Sequence, residues 1–117
     1  MTQYVDDAEA AGIKPVLVTS LSRRQWGDDG KIHSKLQPNV DVVKEIAAEK
    51  HVPLVDLHAR SIELYEKLGK EGCNELSPKK DEVYDGTHLN AKGSDLVGSI
   101  VAEELKKAVP DLAPYIK

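Results

Sequence analysis

Between residues 84 and 93 the chain reads Tyr84, Asp85, Gly86, Thr87, His88, Leu89, Asn90, Ala91, Lys92, Gly93. A carboxylate stands three residues ahead of a histidine, with a glycine between them. In one tight turn Asp85 can accept a hydrogen bond from one imidazole nitrogen of His88 and leave the other free as a base. Such a pair normally serves a nucleophile. Without one, the same residues are a polar turn at a helix N-terminus, with Asn90 as a cap.

Thr19, Ser20, Arg23, Arg24 and Trp26 crowd one short stretch. They offer a substrate rim that would engage an acidic sugar through arginine and stack it on tryptophan. The alternative is a solvated basic turn with the tryptophan packed on its neighbours. Asp56, near a strand end, either faces the same site or serves as a salt bridge or helix cap. His33, His51 and His58 share no ligand spacing, so neither a metal nor another cofactor is expected. Lys79 and Lys80 read as a solvated loop. Cys73 is the single cysteine, which excludes an internal disulfide.

The elements that must position these residues follow from periodicity. Residues 2–11 read as a helix capped by Thr2 and stopped by Gly12. The apolar run 16–18 reads as a strand buried on both faces of a parallel sheet. Residues 21–36 form a long loop, and loops of that length in compact α/β units are often functional. A helix over 37–50 starts at Pro38, with Val42, Val43, Ile46 and Ala47 as its apolar stripe. Residues 54–57 make the second strand. A helix over 59–68 turns Ile62, Tyr65 and Leu68 inward and ends at Gly69. Residues 70–84 read as irregular, 91–108 as an amphipathic helix closed by Pro110, and the segment beyond as a non-helical tail.

Alternating strands and helices imply a parallel α/β sheet. Two strands bury little and leave unpaired edges. The expected fold is therefore α/β: a truncated three-layer α/β/α, flavodoxin-like half-domain with a short parallel sheet, completed by oligomerisation. At 117 residues, the whole of 1–117 is one partial domain. Apolar residues make up 40% and charged residues 31%, which fits a globular chain and argues against disorder. The net charge of −4, with no long run of one sign, gives no reason to expect nucleic acid as a partner. No apolar run approaches a membrane span, and residues 1–7 lack the apolar core of a signal peptide, which leaves localisation unknown.

The segment Asp85 to Gly93, followed by a helix, resembles the last conserved block of the SGNH (GDSL-type) hydrolase superfamily, in which Asp-x-x-His supplies two members of a Ser-His-Asp triad. Residues 15–26 and 52–58 look like the two preceding strands of that fold. Together they are most similar to the rhamnogalacturonan acetylesterase branch, carbohydrate esterase family 12. The resemblance covers nearly the whole chain but only the C-terminal half of the family's domain. It implies Asp85 as triad acid, His88 as general base, Gly86 as the residue that allows the turn, and an acetylated carbohydrate or small ester as substrate. The parent family is often secreted.

The family's Gly-Asp-Ser block, which carries the nucleophile, is absent, as are the Gly and Gly-x-Asn-Asp blocks of the oxyanion hole. Of the serines present, Ser20 and Ser22 follow a strand end and are the candidates for a replacement nucleophile. Two readings stand. One is the C-terminal part of a carboxylic-ester hydrolase, with the missing parts supplied by a separate N-terminal half. The other is a non-catalytic, self-associating α/β module derived from that fold. A homo-oligomer, a dimer or higher, formed through sheet edges or swapped elements is expected.

Overall fold

The computed structural model describes residues 2–116. In chain order the elements are α1 (Thr2–Ala10), β1 (Leu17–Val18), α2 (Gln37–Lys50), β2 (Leu54–Val55), α3 (Leu57–Cys73), a 3₁₀ turn (Asn74–Leu76), β3 (Lys79–Lys80), β4 (Val83–Tyr84), α4 (Ala91–Ala108) and a second 3₁₀ segment (Pro110–Tyr115). The architecture is α/β, with one short parallel and one short antiparallel pair of strands. In the parallel pair Leu17 faces Leu54 and Val18 faces Val55.

Local chemistry sets most boundaries. Pro38 lies in the first turn of α2, where its missing N–H is no loss. The helix ends at His51, whose left-handed φ of 53° lets its N–H reach the last carbonyls. Asp56 caps α3 by accepting from the Ala59 N–H, and Asn90 caps α4 by accepting from the Gly93 N–H.

Several boundaries differ from those read in the sequence. The second strand ends at Val55, because the Asp56 cap draws Leu57 into α3. Gly69 does break the helix, with φ 76°, but helical turns resume as far as Cys73. Leu68, expected inward, is 40% exposed, whereas Tyr65 is fully buried. The irregular stretch 70–84 contains a hairpin. Its tip residues Asp81 and Glu82 both have positive φ, 52° and 67°, as a type I′ turn requires. The tail beyond Pro110 winds into 3₁₀ turns, since proline fits a first turn and the N–H of Leu112 reaches the Val109 carbonyl.

Two apolar clusters hold the elements together. One joins Val5, Leu17 and Ala47, with Val43, Ile46, Val52 and Leu54 around them. The other joins Tyr65, Cys73 and Leu76, with Leu21, Trp26, Ile32, Leu64 and Leu96 around them. The second cluster seats the start of α4. The Asn90 N–H donates to the Leu76 carbonyl at 2.9 Å, and a Cβ on Gly93 would stand 2.6 Å from that same oxygen.

Gly93→Ala should therefore lower the urea midpoint. Helix propensity favours alanine by about 1 kcal/mol, but overpacking against fixed backbone costs about 1–3 kcal/mol. An unchanged or raised midpoint would show that the 76–93 contact yields without cost.

Candidate active site

The Asp85–His88 turn sits between β4 and α4, and one carboxylate organises it. Asp85 Oδ1 accepts from the backbone N–H of Thr87 at 2.7 Å and of His88 at 3.1 Å. Its other oxygen, Oδ2, lies 2.7 Å from His88 Nδ1. An ionised carboxylate only accepts, so Nδ1 carries the proton and Nε2 keeps its lone pair. The imidazole is well exposed, with 76% of its side-chain surface accessible.

The Thr87 backbone bond, the His88 side-chain bond and the His88 backbone bond together lower the Asp85 carboxyl from the usual 3.8 to about 2. Asp85 is thus ionised throughout the range in which an imidazole titrates. Because its folded value is depressed, its contribution to stability is complete above about pH 4 and is lost as pH falls from about 4 towards 2.

Arg24 holds this turn in place from the loop after β1. It is buried, with 7% of its surface exposed. Nε donates to Ser77 Oγ at 2.9 Å and Nη1 to the Tyr65 hydroxyl at 3.3 Å. Nη2 donates to the Asp85 carbonyl at 2.9 Å and also to the His88 carbonyl. The Arg24 N–H in turn donates to the Gly86 carbonyl at 2.7 Å. A Cβ at Gly86 would come 3.1 Å from the Arg24 carbonyl oxygen, so glycine permits this close approach. The guanidinium also lies 5.3 Å from the centroid of the Tyr65 ring. Burial pushes up both the Tyr65 phenol and the neighbouring Cys73 thiol.

The proposed rim does not hold together as a set. Arg24 is turned inward, into the support of the turn. Thr19 is 1% exposed; its hydroxyl donates to Asp56 Oδ1 and accepts from the His58 N–H, at 3.0 and 2.9 Å. It therefore locks the end of β1 to the start of α3 and does not reach a rim. Asp56 also pairs with Lys44 at 3.0 Å. Burial alone would raise the Asp56 carboxyl, but the bonds from Lys44, Ala59 and Thr19 hold it below the usual range.

Ser20 and Arg23 are exposed, and the Ser20 carbonyl accepts from His58 Nδ1 at 3.0 Å. Trp26 is half-buried against the second apolar cluster. Ser22 is buried, and its hydroxyl donates to the Arg23 carbonyl. Among the described residues no serine hydroxyl is hydrogen bonded to His88.

Two features escaped the sequence reading. Nothing in the sequence marks Arg24 for this role; the alternation of buried Ser22, exposed Arg23 and buried Arg24 is visible only in the structure. A second carboxylate–imidazole pair joins Asp29 Oδ1 to His33 Nε2 at 2.9 Å. Here the ring is engaged through Nε2, so the outer nitrogen is already used and the base-like arrangement of His88 is not reproduced. Among the described residues no group of three or more His, Cys, Asp or Glu is placed to hold a metal, and no helix is long and apolar enough to cross a membrane.

Comparison with known proteins gives the same direction. The chain is 34% identical over 116 residues to rhamnogalacturonan acetylesterase RhgT of Bacillus subtilis (strain 168), a match that covers 92% of this chain and 50% of that protein. It is 26% identical over 107 residues to the probable rhamnogalacturonan acetylesterase YesY of the same organism, covering 92% and 49%. Its fold matches the crystal structure of protein YxiM from Bacillus subtilis with a TM-score of 0.77 and 26% identity, over 92% of this chain and 29% of that one. No protein-family model matches. The chain spans about half the length of the curated relatives it matches.

Proposed function

We propose that this chain, a relative of rhamnogalacturonan acetylesterases over 92% of its length, is the acid–base part of an SGNH-type carboxylic-ester hydrolase, corresponding to the C-terminal half of such an enzyme. The observation that carries this reading is the Asp85–His88 geometry: Nδ1 is tied to an ionised carboxylate and Nε2 is free and exposed.

The nucleophile would come from a serine in a second polypeptide segment. His88 Nε2 would take the proton from that hydroxyl as its oxygen bonds to the acetyl carbon. The tetrahedral intermediate would collapse as His88 returns the proton to the departing sugar oxygen. Water, deprotonated by the same nitrogen, would then release acetate and restore the serine. Asp85 would hold the tautomer and stabilise the imidazolium.

The shape of the molecule supports completion by another polypeptide. The Cα radius of gyration is 15.9 Å, against roughly 13 Å for a compact domain of this length. Ile13, ahead of β1, and Val18, within it, are 61% and 44% exposed. The same observation favours a second reading, a self-associating module without catalysis, in which a further copy covers these surfaces.

Hydrolysis of p-nitrophenyl acetate separates the two. It would be measured on the chain alone and with the segment of RhgT that this chain does not cover, each with and without His88→Ala. Turnover that appears on completion and falls with His88→Ala supports the esterase reading. Turnover indifferent to His88 in every mixture, together with a dimer or larger species by light scattering, would establish the module.

A further inference from the structure

A groove of about 680 Å³ opens where α1, α2 and α4 end. Its floor is apolar, built from Ile13, Val16, Val52, Val109 and Leu112. Val16 precedes β1 and Val52 precedes β2, so the groove sits at the opposite end of the parallel pair from the loop that carries Arg24. Gly12, His51 and Val109, which follow the three helices, all line it. Each helix C-terminus carries about half a negative charge. The exposed carboxylates of Glu9 and Asp111 add to them. Lys14 is the one lysine or arginine in the lining. Neither Lys14 nor Asp111 has an ion-pair partner among the described residues, whereas Lys50 is taken by Asp6 at 2.9 Å. Ile13 and Leu112 stand 61% and 37% exposed. One surface thus holds an exposed apolar side chain with a cation beside it, and an apolar groove with an acidic rim suited to receive both.

We propose that a second copy of this chain seats on the groove in a two-fold dimer. Ile13 of each copy enters the groove of the other, and Lys14 meets Asp111 of the partner subunit and the helix C-termini around it. Both halves of the contact lie on one surface, which is the self-complementarity that a two-fold interface requires. Such a contact closes, so association stops at two copies. The Asp85–His88 turn, held from the other end of the strands, stays open in the dimer. The inference therefore goes beyond the esterase reading and does not rest on it. It also gives self-association a surface other than the open edge of β1.

Sedimentation equilibrium over about 5–500 μM tests the interface, since a small contact gives a reversible dimer with a Kd on the order of 10–100 μM. Lys14→Glu should weaken the dimer about tenfold or more, because each substitution enters a two-fold contact twice. Adding Asp111→Lys should recover at least about threefold of that loss. Adding Asp28→Lys instead, which restores the same net charge on an exposed loop, should recover none. Val18→Lys should leave the dimer intact, although it places a charge on the open edge of β1.

A chain that stays monomeric throughout, assembles beyond a dimer, or loses its dimer with Val18→Lys but not with Lys14→Glu overturns the interface. So does a dimer dispersed by the uncovered RhgT segment when binding of that segment is itself lost with Lys14→Glu, since the groove then belongs to that segment. Hydrolysis of p-nitrophenyl acetate is read separately. Hydrolysis that needs His88 in a chain that never dimerises sinks the interface alone. A dimer with no hydrolysis in any mixture upholds the interface and sinks the esterase reading.

Discussion

Arg24→Met should cost the fold about 3 kcal/mol, read as a fall in the urea midpoint at unchanged slope. Methionine fills the volume of the aliphatic stem but removes every donor. Ser77 Oγ, the Tyr65 hydroxyl and the Asp85 and His88 carbonyls then lose their common partner. A buried acceptor left unpaired costs about 1–3 kcal/mol. The total stays below the sum because the two turn carbonyls lie near the surface, where water replaces the guanidinium. The Tyr65 and Ser77 groups have no such relief, since both side chains are buried.

Arg24→Lys keeps the charge but not the fork, and one ammonium cannot span four acceptors on separate segments. It should recover no more than about 1 kcal/mol of the loss. A loss under about 1 kcal/mol for Arg24→Met would show that the turn holds itself and that Arg24 is a passenger.

On the proposed esterase reading, Asp85→Asn should lower turnover of the completed enzyme by roughly 1,000-fold or more, with little change in KM. The side-chain oxygen of asparagine can still accept from Thr87 and His88 N–H groups, so the turn survives. Its amide nitrogen, however, presents a donor to His88 Nδ1. Nδ1 must then accept, which moves the ring proton to Nε2 and removes the lone pair that acts as base. His88→Ala should lose as much, because it deletes the base outright. Raising the pH should not rescue Asp85→Asn, since the defect is a tautomer and not a charge state. Parallel losses in Kd for substrate would instead assign Asp85 to binding.

Much of the site's inner geometry was legible in the sequence because its interactions are local. Asp85 reaches the Thr87 and His88 N–H groups and the His88 ring within three residues. The caps at Asp56 and Asn90 are equally local, and so the starts of α3 and α4 fall within two residues of where caps and periodicity place them. The hairpin was not legible. Asp81 and Glu82 adopt the left-handed backbone without glycine or asparagine to announce it, so ordinary turn chemistry gave no warning. The helical period places both Tyr65 and Leu68 on the inward side of α3, but only Tyr65 is buried; Leu68, next to the non-helical Gly69, is 40% exposed.

The sequence by itself determined the Asp85–His88 contact, the order of helices and strands, and the absence of a Gly-Asp-Ser block from these 117 residues. These depend on residue identity and on separations of a few positions, over which backbone geometry leaves few choices. Only the tertiary structure decided what supports the pair. Arg24 meets its four side-chain and backbone partners across 41 to 64 residues of chain, and no periodicity records contacts at such range. The same distance turned Thr19 from a rim residue into a buried lock on Asp56, 37 positions away. A polar side chain near a strand end faces solvent or interior according to what folds over it, and that covering segment lies elsewhere in the chain.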